Sequence, residues 1–134
     1  MREYMQFYIN GEWTDPANPR SLDVIDPATE EVAGQISLGS DADVDKAVTA
    51  AATAFKTWSI TSKDERLAIM NRIVEEFEKR VPELGTAITE EMGAPKWLAD
   101  GTQAAVGVNH FKTAIGILES FEFDEDRGTS RVSR

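Results

Sequence analysis

From Phe7 to Leu38 apolar and polar residues alternate in short runs, and from Ser40 the period lengthens to that of a helix. Phe7-Tyr8-Ile9 and Glu12-Trp13 flank Asn10-Gly11. That pair is favoured where two successive residues take positive φ, so the pattern predicts a hairpin with a two-residue type I′ turn. Asp15-Pro16-Ala17-Asn18-Pro19-Arg20 follows as a loop, because its two prolines cannot join a regular ladder. Leu22, Val24 and Ile25 give a short extended segment, and Asp26-Pro27-Ala28-Thr29 turns it round. Val32, Gly34, Ile36 and Leu38 then alternate with Ala33, Gln35 and Ser37, the period of a half-buried strand. The prediction is a small antiparallel sheet whose second hairpin lies between Leu22 and Leu38.

Ser40 and Asp43 make a capping-box pair that opens a helix. Val44, Ala47, Val48, Ala51, Phe55 and Trp58 share one stripe of it, opposite Asp41, Asp45, Thr49 and Lys56. A second pair, Ser62 and Glu65, opens the next helix, with Leu67, Met70, Ile73, Val74 and Phe77 as its buried face. Pro82 removes a backbone donor, which predicts a break there and the start of a short third helix carrying Leu84, Ile88 and Met92. Gly93 suits a left-handed terminator, and Pro95 restarts the chain in a fourth helix. Trp97, Gly101, Ala104, Ala105, Val108, Phe111, Ile115 and Leu118 lie at helical spacing along it. After Phe121 the sequence turns acidic and loses periodicity, and Thr129 to Arg134 alternates weakly. Stripes this short do not offset the entropy of ordering their own helices, so each needs a partner surface. The chain reads as part of a larger assembly.

At 134 residues the chain has the length of one average domain, and its apolar (41%) and charged (28%) fractions are those of a globular protein. A net charge of −10 opposes nucleic acid and anionic membrane surfaces alike, since both need clustered Lys and Arg. No apolar run approaches the ~20 residues of a membrane span, and Met1 to Gln6 lacks the layout of a signal peptide. Cysteine is absent, which excludes disulfides, thiolate metal sites and thiol catalysis within these residues. The expectation is a soluble, cytoplasmic chain with no nucleic-acid and no membrane partner.

Candidate chemistry is sparse. His110 is the one histidine, and with no cysteine or second histidine to complete a metal set it reads as structural. Gly34 and Gly39 straddle a strand and a helix start, but their spacing is that of no phosphate loop, and Asp41 and Asp43 would repel phosphate there. Asp41-x-Asp43-x-Asp45 begins like a calcium loop, yet Lys46 stands where glycine is needed. Complementarity to the helix dipole accounts for these aspartates more simply. Glu90 and Glu91 are adjacent on a helix and point apart. Together with Glu75/Glu76/Glu78 and Asp124/Glu125/Asp126, they read as solvated faces.

The pieces nevertheless fall in a familiar order. Phe7-Tyr8-Ile9-Asn10-Gly11-Glu12-Trp13, Val24-Ile25-Asp26-Pro27-Ala28-Thr29-Glu30-Glu31-Val32 and the Ala-rich helix Val44 to Trp58 come first. Glu65-Arg66, Glu91-Met92-Gly93-Ala94-Pro95 and Ser130-Arg131-Val132-Ser133-Arg134 follow. This succession resembles the N-terminal region of the NAD(P)-dependent aldehyde dehydrogenase superfamily over nearly the whole chain. The resemblance implies a parent in which a cysteine thiolate attacks an aldehyde to give a thiohemiacetal, hydride passes to NAD or NADP, and a glutamate-activated water releases the carboxylate. It also implies that the cysteine, the glutamate, the oxyanion donors and the nucleotide-binding residues all come later than Arg134. No catalytic, cofactor-binding or metal residue is therefore assigned in this chain. Some members hold a monovalent cation through backbone oxygens at positions resembling Val24 and Ile25, together with an acidic group. The position matching that acidic group holds uncharged Gln103, so no such site is assigned.

The fold class expected is an aldehyde dehydrogenase-like α/β parent, of which this span is a small antiparallel β-sheet followed by three to four packed amphipathic helices. Residues 1–121 would form the N-terminal part of the cofactor-binding domain, with strands in 7–38 and helices in 41–121. Residues 122–134 would begin a bridging, oligomerisation segment. The parent is expected to be a homodimer or homotetramer acting on a small-molecule aldehyde, with this span inactive by itself and binding no cofactor. The alternative is a stand-alone, non-catalytic helical binding or scaffold module derived from that family.

Overall fold

The strands divide between small sheets. β1 (Arg2–Tyr4) stands before the first hairpin, which β2 (Phe7–Ile9) and β3 (Glu12–Thr14) form, and β4 (Ser21–Ile25) and β5 (Val32–Ser37) make the second. The computed structural model describes residues 2–133; Met1 and Arg134, on which the readings of the two ends partly rest, lie outside the described residues. Asn10 and Gly11 take φ of 55° and 83°, as the two-residue turn requires. The second turn closes through Asp26 N–H donating to the Glu31 carbonyl at 2.9 Å and Glu30 N–H to the Asp26 carbonyl at 2.8 Å. Glu30 is held there at φ 61°, left-handed although it carries a side chain. One pairing departs from the all-antiparallel expectation. β1 runs parallel to β5, with Arg2 opposite Gly34 and Tyr4 opposite Ile36, so the larger sheet has the order β1-β5-β4. No turn signal announces a partner some thirty residues away, and Arg2-Glu3-Tyr4 shows no alternation of its own.

Four α-helical pieces follow: α1 (Asp41–Trp58), α2 (Lys63–Met92), α3 (Lys96–Leu98) and α4 (Ala104–Ser120). The break expected at Pro82 does not occur, and α2 is continuous through it until Gly93 ends the helix at φ 67°. Proline forfeits the bond to the carbonyl one turn earlier, but packing on both sides overrides that local penalty. Val74 and Phe77 anchor the helix before Pro82, and Gly85 meets Asp100 after it.

The single helix expected from Pro95 to Leu118 is also corrected. Ala99–Gln103 forms a π turn between α3 and α4. One extra residue shifts the helical phase by about 100°. Trp97 is thereby carried out of line with Ala104, Val108 and Ile115, and is left 74% exposed while those three are buried.

α2 and α4 are antiparallel, because partners run in opposite order along them. Lys63 Nζ donates to the Glu119 carbonyl at 2.9 Å, Lys112 pairs with Glu78 at 2.6 Å, and Gly85 meets Asp100. Their seam is the core: Val74, Val108 and Ile115 are buried, with Leu67, Met70, Phe77, Val81 and Phe111 packed round them. Gly107 lets this seam close, since a methyl there would fall 2.5 Å from Cε1 of Phe77. Ile73, read as part of the buried face, lies at its edge and is exposed. The acidic stretch after Phe121 is a further antiparallel ribbon, β6 (Asp124–Arg127) with β7 (Ser130–Ser133). Arg131 and Ser133 both donate to Asp124 across it.

Candidate functional site

The start of α1 is built around one carboxylate. Asp43 accepts from Ser40 N–H at 2.8 Å, from Ser40 Oγ at 2.7 Å and, through its other oxygen, from Ala17 N–H at 2.9 Å. It therefore caps α1 and fastens the Pro16–Pro19 loop to it. The Ser40 backbone donor, then that of Ala17, then the Ser40 hydroxyl hold its carboxyl below the usual aspartate range. α2 opens in the same way: Glu65 accepts from Ser62 N–H and Oγ, both at 2.8 Å, and is lowered by those two bonds. The N-termini of α1 and α2 thus turn donors toward carboxylates of this chain. A dinucleotide pyrophosphate needs such donors free and a glycine-rich turn before them, so the residues present do not fit one.

The body of α1 presents the opposite chemistry. Val44, Val48 and Phe55 are 58%, 61% and 62% exposed, with Trp58 also open, so the stripe that makes this helix amphipathic faces outward. Its first turns meet the sheet region, where Phe7, Ile9, Asp43, Val44 and Ala47 line a shallow cleft with Tyr8. Tyr8 and Trp13 meet across the first hairpin in a tilted contact, ring centroids 5.2 Å apart and planes at 58°, both exposed. At the far end Arg66 clamps the α1–α2 corner. It donates to the carbonyls of Trp58 and Ser59 and to Thr61 Oγ1, and its guanidinium lies 5.7 Å from the Trp58 ring centroid. That geometry fixes the direction of α1 while leaving its apolar face uncovered.

The sequence-derived candidates are scattered, not gathered. His110 is on the exposed side of α4. Glu90 pairs with Arg2 at 3.2 Å and ties β1 to the end of α2, while Glu91 is exposed. Glu76 bonds Lys79 at 2.6 Å; the carboxyl is lowered and the ammonium raised chiefly by that bond. Glu78 pairs with Lys112 across the helix seam. Asp124 is lowered by the Ser133 hydroxyl and then by Arg131. Gly34 is buried in β5 beside the Arg2 carbonyl, and Gly39 lies by the Phe7 ring. Gln103, in the π turn, buries a side-chain oxygen that has no hydrogen-bond partner among the described residues. Periodicity gives no sign of that atom. Among the described residues no group of three or more His, Cys, Asp or Glu is placed to hold a metal ion, and no helix is long and apolar enough to cross a membrane.

Comparison with known proteins points in one direction. The sequence model of the aldehyde dehydrogenase family matches residues 13–131. A 3-succinoylsemialdehyde-pyridine dehydrogenase from a Pseudomonas species is 50% identical over 135 residues, covering 100% of this chain and 28% of that protein. Among solved structures, an aldehyde dehydrogenase from Bartonella henselae superposes with a TM-score of 0.93 at 44% identity, over 97% of this chain and 28% of that one. Aldehyde dehydrogenase C of Pseudomonas syringae, solved as a cysteine-to-alanine variant with NAD+ and octanal, gives 0.93 at 40% identity, over 97% and 27%. The chain spans 28% of the length of the curated relatives it matches.

Proposed function

The chain belongs to the aldehyde dehydrogenase family, and on that footing we propose that it is the N-terminal part of an NAD(P)-dependent aldehyde dehydrogenase. The parent oxidises a small-molecule aldehyde to a carboxylate. A cysteine thiolate encoded downstream adds to the aldehyde carbon, and the resulting thiohemiacetal loses hydride to become a thioester, which water cleaves. The nicotinamide supplies the hydride acceptor, and no residue of this chain carries that step. Residues 1–121 belong to the cofactor-binding domain and 122–134 begin the segment that joins subunits of a cytoplasmic homodimer or homotetramer. No catalytic, cofactor-binding or metal ligand lies in this span.

One observation carries the reading: α1 is a well-capped, 18-residue helix whose apolar stripe lies open to solvent. A lone helix does not hold such a stripe in water without a surface to bury it on. The absence of cysteine and the self-capped starts of α1 and α2 support a packing role for this span. Its residues orient and support; they do not react.

The test has two arms. The chain by itself, given NAD+ or NADP+ and a series of aldehydes, is expected to produce no NAD(P)H; sustained turnover would overturn the assignment. In the longer protein containing it, Val48→Asp with Phe55→Asp is expected to abolish soluble, active enzyme. Full activity of that double variant would show that the α1 stripe packs against nothing.

A further inference from the structure

We propose that Asn10-Gly11 is a site of spontaneous covalent modification, independent of the dehydrogenase reading. The backbone nitrogen of Gly11 attacks Cγ of the Asn10 amide, that nitrogen's proton leaves with the departing ammonia, and a succinimide ring forms. Water then opens the ring at one of two bonds. Cleavage at Cγ restores the backbone and leaves aspartate; cleavage at the main-chain carbonyl routes the backbone through Cγ and leaves isoaspartate. No oxidant, metal or enzyme enters the balance.

The structure favours this asparagine over the others. Both turn residues are exposed, and no heavy atom beyond the chain neighbours stands within 4 Å of where a Gly11 side chain would be, so no other part of the chain packs over the turn on that side. Among the described residues no hydrogen bond holds the Asn10 amide. Asn18 precedes Pro19, whose nitrogen has no proton to lose. Asn71 lies within α2, donates to the Leu67 carbonyl at 2.9 Å and is followed by Arg72. Asn109 lies within α4 and is followed by His110. The one Asp-Gly pair is also restrained, since Asp100 is bound to Lys96 at 2.9 and 3.0 Å inside a helical segment. Regular helix keeps the following nitrogen turned away from the side-chain carbonyl, whereas an exposed loop tip opens locally at little cost.

The consequence reaches beyond the turn. Isoaspartate inserts one backbone carbon next to Ile9, which is buried and registered opposite Glu12. Either product also adds a carboxylate to a chain already at −10. The isoaspartate product, through its extra backbone carbon, disturbs the Ile9–Glu12 register of the hairpin that seats β2 against the start of α1.

The test is to hold the longer protein that contains this chain in mildly alkaline buffer at physiological temperature and sample it over time. Peptide mapping by mass spectrometry follows the amide-to-acid mass gain. A protein-isoaspartate carboxyl methyltransferase with labelled methyl donor reports the isomer. Asn10 is expected to convert at least an order of magnitude faster than Asn71 and Asn109, fragmentation assigning the change to Asn10 and not Asn18. Asn10→Gly, which also suits positive φ, is expected to remove the methyl-acceptor signal from that peptide. Equal rates at the helical asparagines, or an intact Asn10 when they have reacted, overturn the proposal. The unsubstituted protein decides the matter even should the variant fold poorly.

Discussion

The ring edge of Phe77 occupies the space in which a side chain on Gly107 would begin, with Cε1 and Cζ at 2.5 and 2.6 Å from that position. Real atoms do not approach so closely, so an alanine forces the ring to move or the helices to part. Phe77 belongs to the Val74–Val108–Ile115 cluster, and either response loosens the seam. Gly107→Ala is expected to cost about 1–3 kcal/mol, more than the helix propensity alanine contributes. Urea unfolding followed by circular dichroism measures it. Phe77→Leu placed on the same background should recover part of the loss, a positive coupling in the double-mutant cycle. A higher urea midpoint for Gly107→Ala would mean the seam is not this tight.

Glu30 adopts φ 61° because the second hairpin turn needs a left-handed residue before β5 resumes. A side-chain-bearing residue spends roughly 1–2 kcal/mol in that region, and glycine does not. Glu30→Gly is expected to raise stability by about 1 kcal/mol, less what glycine's looser unfolded state takes back. Glu30→Asn should gain part of this, and Glu30→Ala nothing. Thermal melts of the three variants rank them, and a gain from alanine equal to that from glycine would refute the strain.

Pro82 sits exposed in the interior of α2. Its ring denies the Glu78 carbonyl a donor and crowds that carbonyl, a local cost of about 3 kcal/mol in an ordinary helix. Pro82→Ala should therefore stabilise α2, by about 1–3 kcal/mol, and slow hydrogen exchange in residues 83–88. Unchanged exchange there would indicate that the helix has already accommodated the proline by bending elsewhere.

What the sequence makes legible follows from the range over which each signal acts. Asn10-Gly11, Ser40 with Asp43, Ser62 with Glu65, and Gly93 are local devices, and each stands where its chemistry requires. The β1–β5 pairing is not local, and Arg2-Glu3-Tyr4 carries no pattern that names Gly34 as partner. Pro82 misleads because a breaker rule weighs one peptide unit, whereas Val74, Phe77 and Gly85 hold the helix from outside it. The π turn is invisible to any test that assumes a fixed period, and so Trp97 reads onto the wrong face. At the site, the absence of cysteine is plain. The open side of α1 is not, because a stripe says that a helix wants a partner without saying whether these residues supply it.

Asp43 gives the chain an acid limit. Its folded carboxyl lies below its ordinary value because the Ser40 and Ala17 backbone donors bind the charged form. A carboxyl lowered by folding contributes stability that is fully present above the unfolded value, near pH ~4. That contribution is lost as pH falls through the lower folded value. An asparagine in its place would keep an oxygen for Ala17 but oppose an NH2 group to the Ser40 N–H. Asp43→Asn is therefore expected to be less stable than the parent at neutral pH, with the gap narrowing on acidification and closing once the parent's own carboxyl is protonated. Glu65 and Asp124, lowered by comparable bonds, leave the variant a residual acid transition. Stability curves against pH for the two proteins test the sign directly. Curves that stay parallel through the acid range would mean that the Asp43 latch holds equally well without its charge.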